Sequence, residues 1–154
     1  MTAAELVVRP ARTADGDQWA DLCRAYRAFY QLEPDEQVVN RVWTWVDDPL
    51  HEVNSMVAVN GVELVALANH RRFARPSSGT VGLYLDDLFT APTARGLGVA
   101  SALLKGLSQL AVRDGLSVVR WMTATDNDRA RRLYDRTASL TKWVTYDLLP
   151  GGSS

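Results

Sequence analysis

Two stretches of the sequence combine residue types that could do chemistry. The first is Arg95-Gly96-Leu97-Gly98-Val99-Ala100-Ser101, two glycines beside a cation at the start of an apolar-striped segment. Glycine stands where the backbone needs positive φ, or where something must come close to its N–H groups. A helix opening here presents unpaired N–H groups and the positive end of its dipole, which suits a phosphate, and Arg95 could add a charge-assisted contact. The bland alternative is a loop whose glycines serve tight turning alone. Walker A and dinucleotide-binding motifs do not match, because Val99-Ala100 follows the last glycine and Ser101 stands where a third glycine would be. The second stretch is Asp86-Asp87 at the end of an apolar run. Successive strand residues point to opposite faces, so both carboxylates cannot be plain solvent-face residues unless the strand is bulged or ends there.

The elements that must position these residues follow from periodicity. Leu6 to Arg9 is a short strand ended by Pro10, and Trp19, Leu22, Cys23, Tyr26, Phe29 and Tyr30 share one face of a helix over 15–30. Pro34-Asp35 starts a second helix carrying Val38, Val39, Val42, Trp43 and Val46. Strands then flank Asn60-Gly61, a strong hairpin signal, and a long alternating strand runs from Val81 towards Thr90. A helix opens at Gly98, Ser117 to Thr123 reads as a strand, Asn127 to Arg136 as a helix, and Leu140 to Leu148 as a final strand. The order β-α-α-β-β-β-α-β-α-β predicts an α/β domain with a mixed sheet.

Composition narrows the function classes. The 154 residues are 47% hydrophobic, which implies one domain over 1–149 followed by a flexible tail at 150–154. A net charge of -1 supplies no field to attract nucleic acid or an anionic membrane. The single Cys23 excludes an internal disulfide, and the isolated His51 and His70 lack metal-ligand spacing, so no metal is expected. Neither a signal core nor a membrane-spanning run is present, which leads to the expectation of a cytoplasmic protein.

Arg95-Gly96-Leu97-Gly98-Val99-Ala100 fits the pattern Arg/Gln-x-x-Gly-x-Gly/Ala. With Leu88-Phe89-Thr90-Ala91-Pro92 before it and Asn127-x-x-Ala130-x-x-Leu133-Tyr134 after it, nearly the whole chain resembles the GNAT N-acetyltransferase superfamily. Tyr84-Leu85-Asp86-Asp87-Leu88-Phe89-Thr90, Leu107-Ser108-Gln109-Leu110-Ala111 and Trp143-Val144-Thr145-Tyr146 are similar to its polyamine (spermidine/spermine) and histone/polyamine-type branch. Ala138 departs from the glycine that relatives often carry, which touches the end of the sheet rather than the cofactor site.

The resemblance implies a GNAT-like acyl-CoA N-acyltransferase fold and acetyl-CoA (coenzyme A) as cofactor. It places the pantetheine arm along Leu88, Phe89 and Thr90, with Ser117 to Thr123 splayed away to make room. The pyrophosphate sits on the N–H groups of Arg95, Gly96, Leu97, Gly98, Val99, Ala100 and Ser101, and Asn127 contacts the pantetheine or thioester region. Tyr134 protonates the leaving thiolate. Chemistry supports that role, since a thiol pKa of about 8.5 lies below the tyrosine value of about 10, so the phenol holds a proton to give. Tyr26 and Tyr30 lie on the helix that borders the acceptor in this family. An alkylamine with a pKa of about 10.4 is almost all ammonium at neutral pH, and a carboxylate can attract that cation and take its proton. Asp86 and Asp87 are therefore the expected acceptor pair, Asp87 foremost, for a small cationic, polyamine-like or lysine-like amine. The alternatives are acetylation of protein lysines or N-termini, and a non-catalytic acyl-CoA sensor. Long strands with edges to cover lead to the expectation of a homodimer.

Overall fold

The computed structural model describes residues 5–152. Strand β1 (Leu6–Pro10) is followed by helices α1 (Gly16–Phe29) and α2 (Glu36–Asp47). Strands β2 (Asn54–Asn60), β3 (Glu63–Arg75) and β4 (Thr80–Thr90) follow, then helix α3 (Val99–Arg113), strand β5 (Val119–Arg120) and helix α4 (Asp128–Thr137). The sheet runs in the order β1-β2-β3-β4-β5. Its first three pairings are antiparallel and β4–β5 is parallel. The chain divides into two compact units, one ending at Met122 and one beginning at Thr123.

Alternation along the strands assigns the two faces of the sheet. Val57, Val59, Leu64, Leu67 and Phe89 pack with Trp19, Leu22 and Cys23 of α1 and Val39 of α2. The intervening residues point the other way, where α3 lies so close that a Cβ on Gly106 would stand 2.8 Å from the Met56 sulfur and 2.9 Å from Val8 Cγ1. Trp19 is fully buried on the α1 face, and its indole N–H donates to Ser55 Oγ at 3.0 Å, which answers the polar demand of that side chain. Helix α2 starts where Asp35 accepts from the N–H groups of Gln37 (3.0 Å) and Val38 (3.3 Å).

Two departures from the sequence reading bear on the strands. The β2–β3 turn sits one residue later than expected: Asn60 pairs with Glu63, and Gly61 alone takes positive φ, the pattern of a type II′ turn. More consequential, the final strand expected over 140–148 does not form, and β5 is only Val119–Arg120 rather than 117–123. The apolar residues of the last segment, Leu140, Trp143, Val144, Tyr146 and Leu148, are exposed instead. Alternation supplies a strand's two faces but not its hydrogen-bond partner, and among the described residues the sheet consists of β1 to β5.

Candidate active site

The glycines at the mouth of α3 take positive φ and leave the space beside their backbone open. Gly96 and Gly98 each have φ of 78°, a conformation side chains rarely adopt, and nothing lies within 4 Å of where a Cβ would be on either. Gly98 is the N-cap residue, so no side chain caps the helix, and no acidic residue occupies its first turn. The first bond of the helix runs from Ala102 N–H to Gly98 O at 3.0 Å, which leaves the N–H groups of Val99, Ala100 and Ser101 ahead of it. Helices α2 and α4 cap that end with Asp35 and Asn127, whereas α3 keeps it open and positive. A pyrophosphate fits this cradle in charge and in space.

Beside it, β4 outruns its parallel neighbour. Strand β5 pairs only with Leu83 and Tyr84, so Leu88, Phe89 and Thr90 continue towards α3 along an edge that β5 does not cover. Main-chain groups on that stretch can pair with an extended ligand arm as they would with another strand. The side chain of Phe89 is spent elsewhere, buried in the α1 face. Arg95 also differs from expectation. Its Nε donates to Thr90 O at 3.3 Å, and its guanidinium lies over the rings of Phe29 (5.1 Å) and Phe89 (5.6 Å). Cation–π attraction to two rings holds Arg95 against the aromatics, so main chain rather than this side chain lines the mouth of α3.

The pair Asp86-Asp87 sits on a bulge. Asn69 faces Asp87 while the next residue, His70, faces Leu85, so Asp86 has no partner on β3. The extra residue shifts the alternation and turns both carboxylates to the α1 face. Asn69 and Arg71, two apart on β3 and so on one face, each hold one of them. Asn69 Nδ2 donates to Asp87 Oδ2 at 3.0 Å, and Arg71 Nε lies 3.2 Å from Asp86 Oδ2. Burial pushes the Asp86 carboxyl up, Arg71 draws it back down, and the charges of Asp87 and Glu52 push it up again.

Helix α1 closes this face. Tyr26 faces Asp87, and burial first, then the charge of that carboxylate, raises the phenol's pKa so that it keeps its proton. Cys23 is shifted upward too, by burial first and the Asp87 charge second, and stays a neutral thiol. Tyr30 stacks on Tyr26 with ring centroids 4.9 Å apart, and Tyr26 meets Phe89 edge-on at 5.9 Å. Tyr30 and Phe29 are half exposed, at 46% and 54%, and meet edge to face with ring centroids 5.1 Å apart.

In the unit that begins at Thr123, Asn127 and Tyr134 lie two turns apart on the least exposed face of α4. The Asn127 side chain is occupied as a helix cap, accepting from Ala130 N–H at 3.4 Å while its Nδ2 donates to Thr123 Oγ1 at 3.3 Å. Tyr134 is half-buried, and its carbonyl accepts from Ala138 N–H at 2.8 Å as the helix ends.

Sequence reasoning missed Asn69 and Arg71, because cross-strand register brings them to the carboxylates and nothing local marks them. A cavity of about 690 Å³ lies on the opposite face, between α3 and the sheet, lined by His70, Arg72, Leu83, Lys105 and Arg113 among others. It is remote from this chemistry, and two of its cations, Arg72 and Arg113, are already paired with Asp114.

Comparison with known proteins agrees with this geometry. Residues 19–138 match the Acetyltransferase (GNAT) family. The D-amino-acid N-acetyltransferase HPA3 of Saccharomyces cerevisiae is 24% identical over 148 residues, spanning 95% of this chain and 92% of that protein. Among solved structures, the ribosomal-protein-alanine N-acetyltransferase of Brucella melitensis biovar Abortus 2308 superposes with a TM-score of 0.80 at 18% identity, over 94% of this chain and 98% of the other. The aminoglycoside N-acetyltransferase AAC(6')-Iy in complex with CoA superposes at 0.77 and 16% identity, over 94% and 95%. An uncapped glycine cradle, an uncovered strand edge beside it and the family match across most of the sequence lead to one conclusion: the chain belongs to the GNAT acetyltransferase family and is an acetyl-CoA-dependent N-acetyltransferase.

Proposed function

We propose that the protein acetylates a small primary amine that carries positive charge, as the resemblance to the polyamine-type branch implies. The observation that carries this reading is the bulge, which sets Asp86 and Asp87 side by side on the face closed by Tyr26. Bound acetyl-CoA supplies the thioester carbonyl that the amine attacks. Asp87 attracts the ammonium and takes its proton, directly or through water, and Asp86 adds a second negative charge at the entrance. The Tyr26 and Tyr30 rings give the acceptor's alkyl chain an apolar wall. Tyr134 donates its phenolic proton to the thiolate as it leaves.

Thiol release from acetyl-CoA across polyamines, amino acids, aminoglycosides and basic peptides tests the acceptor class. A preference for neutral or anionic amines would overturn it. Tyr134→Phe should lower kcat by roughly 10²–10⁴ with acetyl-CoA affinity kept, and a variant as fast as the parent removes Tyr134 from the chemistry. Gly98→Glu should abolish acetyl-CoA binding by calorimetry, because it fills the cradle and adds a repelling charge at the helix mouth.

A second reading, an amino acid acceptor, is favoured by Arg71, whose guanidinium stands on the same face as the carboxylates and suits an α-carboxylate. The D-amino-acid N-acetyltransferase relative is in keeping with it. We further propose a homodimer, supported by the exposed Leu140, Trp143, Val144 and Tyr146 of a segment with a strand's alternation. Light scattering that gives a monomer would refute it.

A further inference from the structure

Asn69 is 4% exposed and lies on the α1 face, with Leu67 of the core cluster two residues before it on the same side of β3. One end of its amide is engaged, Nδ2 donating to Asp87 Oδ2 at 3.0 Å. The other end, Oδ1, is buried and has no hydrogen-bond partner. The orientation of the amide follows from charge: an ionised carboxylate only accepts, so the N–H end must face Asp87. A leucine of similar volume would pack here without stranding a polar atom, and an unmet buried acceptor costs folding free energy. What the amide supplies that leucine cannot is the N–H on Asp87.

We infer that Asn69 is the positioning residue of the acceptor site. A carboxylate's terminal torsion is broad and soft, so a lone Asp87 would sample many orientations. Asn69 from β3 gives it a hydrogen bond, and with Tyr26 of α1 facing it the carboxylate plane is held. The lone pairs they leave open are the ones that meet the incoming ammonium, held in place before the amine arrives. The inference rests on Asp87 as the proton acceptor.

A double-mutant cycle tests it with the full chain, the best amine of the panel, and acetyl-CoA. Asp87→Asn should lower kcat/KM for the amine at least about 100-fold, and Asn69→Leu about 10-fold with KM for acetyl-CoA unchanged and the thermal midpoint equal or higher. In the Asp87→Asn background, Asn69→Leu should cost less than about 2-fold further, because it acts through a group no longer there. A parental rate for Asp87→Asn would sink the proposed function and this inference with it. If Asp87→Asn is impaired, two results overturn the inference alone: Asn69→Leu indistinguishable from the parent, or the same loss in both backgrounds. Should Asn69→Leu not fold, Asn69→Ala enters the same cycle, and failure of both to fold makes Asn69 a packing residue.

Discussion

Asn69 and His70 are consecutive, almost equally buried at 4% and 7%, and sent by the pleat of β3 to opposite faces. Each leaves one buried polar atom without a partner, Oδ1 on Asn69 and Nδ1 on His70. On the α1 side, Asn69 donates to Asp87, beside Tyr26, Asp86 and Arg71. On the α3 side, burial acts on the imidazole alone and pushes its pKa down to about 4, so His70 is neutral at physiological pH. Burial by itself silences a titratable group. Burial beside a hydrogen-bond donor gives a side chain a partner and an orientation.

The contrast breaks most visibly at Asp87. Asp87→Asn should reduce kcat/KM by about 10²–10⁴ while the thermal midpoint scarcely moves. Steady-state kinetics showing a change of less than 10-fold would place both faces of the sheet in the same structural role.

His70 gives the next largest effect, on stability rather than rate. Its folded pKa of about 4 lies below the ordinary 6.5, so between those values the unfolded chain binds more protons. His70 therefore contributes no penalty above about pH 6.5 and destabilises the fold progressively as pH falls towards 4, by up to about 3 kcal/mol. In His70→Gln the midpoint should fall less steeply across that window than in the parent, with turnover at neutral pH unchanged. Identical slopes in scanning calorimetry would show that His70 is not what makes the α3 face acid-sensitive.

Smaller still is the packing of α3 itself. Gly106→Val places methyl groups where Met56 and Val8 already stand, which should destabilise by about 1–3 kcal/mol and leave KM for acetyl-CoA in place. Denaturant titration showing no loss would mean that this face yields more readily than its close contacts suggest. The least effect is expected from Arg71→Gln. The pair with Asp86 is about one-third exposed on both sides and contributes about 0–1 kcal/mol. Its value is diagnostic: a rise in KM confined to amino acids would favour the amino acid reading, and a drop in KM for polyamines the cationic one.

Much of this was open to local reasoning. The α3 cradle is read directly from Arg95 to Ser101 because positive-φ glycines and a helix start are decided within a few residues. The helical faces of Trp19, Leu22 and Cys23 and of Val39 follow from spacing and reappear in the core. The bulge at Asp86 is one of two exceptions, with a strand end, that the sequence leaves to adjacent carboxylates pointing to opposite faces, and the sequence does not choose between them.

What tertiary structure alone decided is everything set by partners distant in the chain. Asn69 reaches Asp87 across eighteen positions of sequence, and that pairing exists only in one register of β3 against β4. Arg95 lies over the rings of Phe29 and Phe89 because aromatic faces from α1 and β4 meet beside it. The segment over 140–148 has a strand's alternation, yet forms none. Periodicity prescribes which side chains share a face, but a strand is completed by hydrogen bonds to a neighbour, and a neighbour is a property of the fold rather than of the segment.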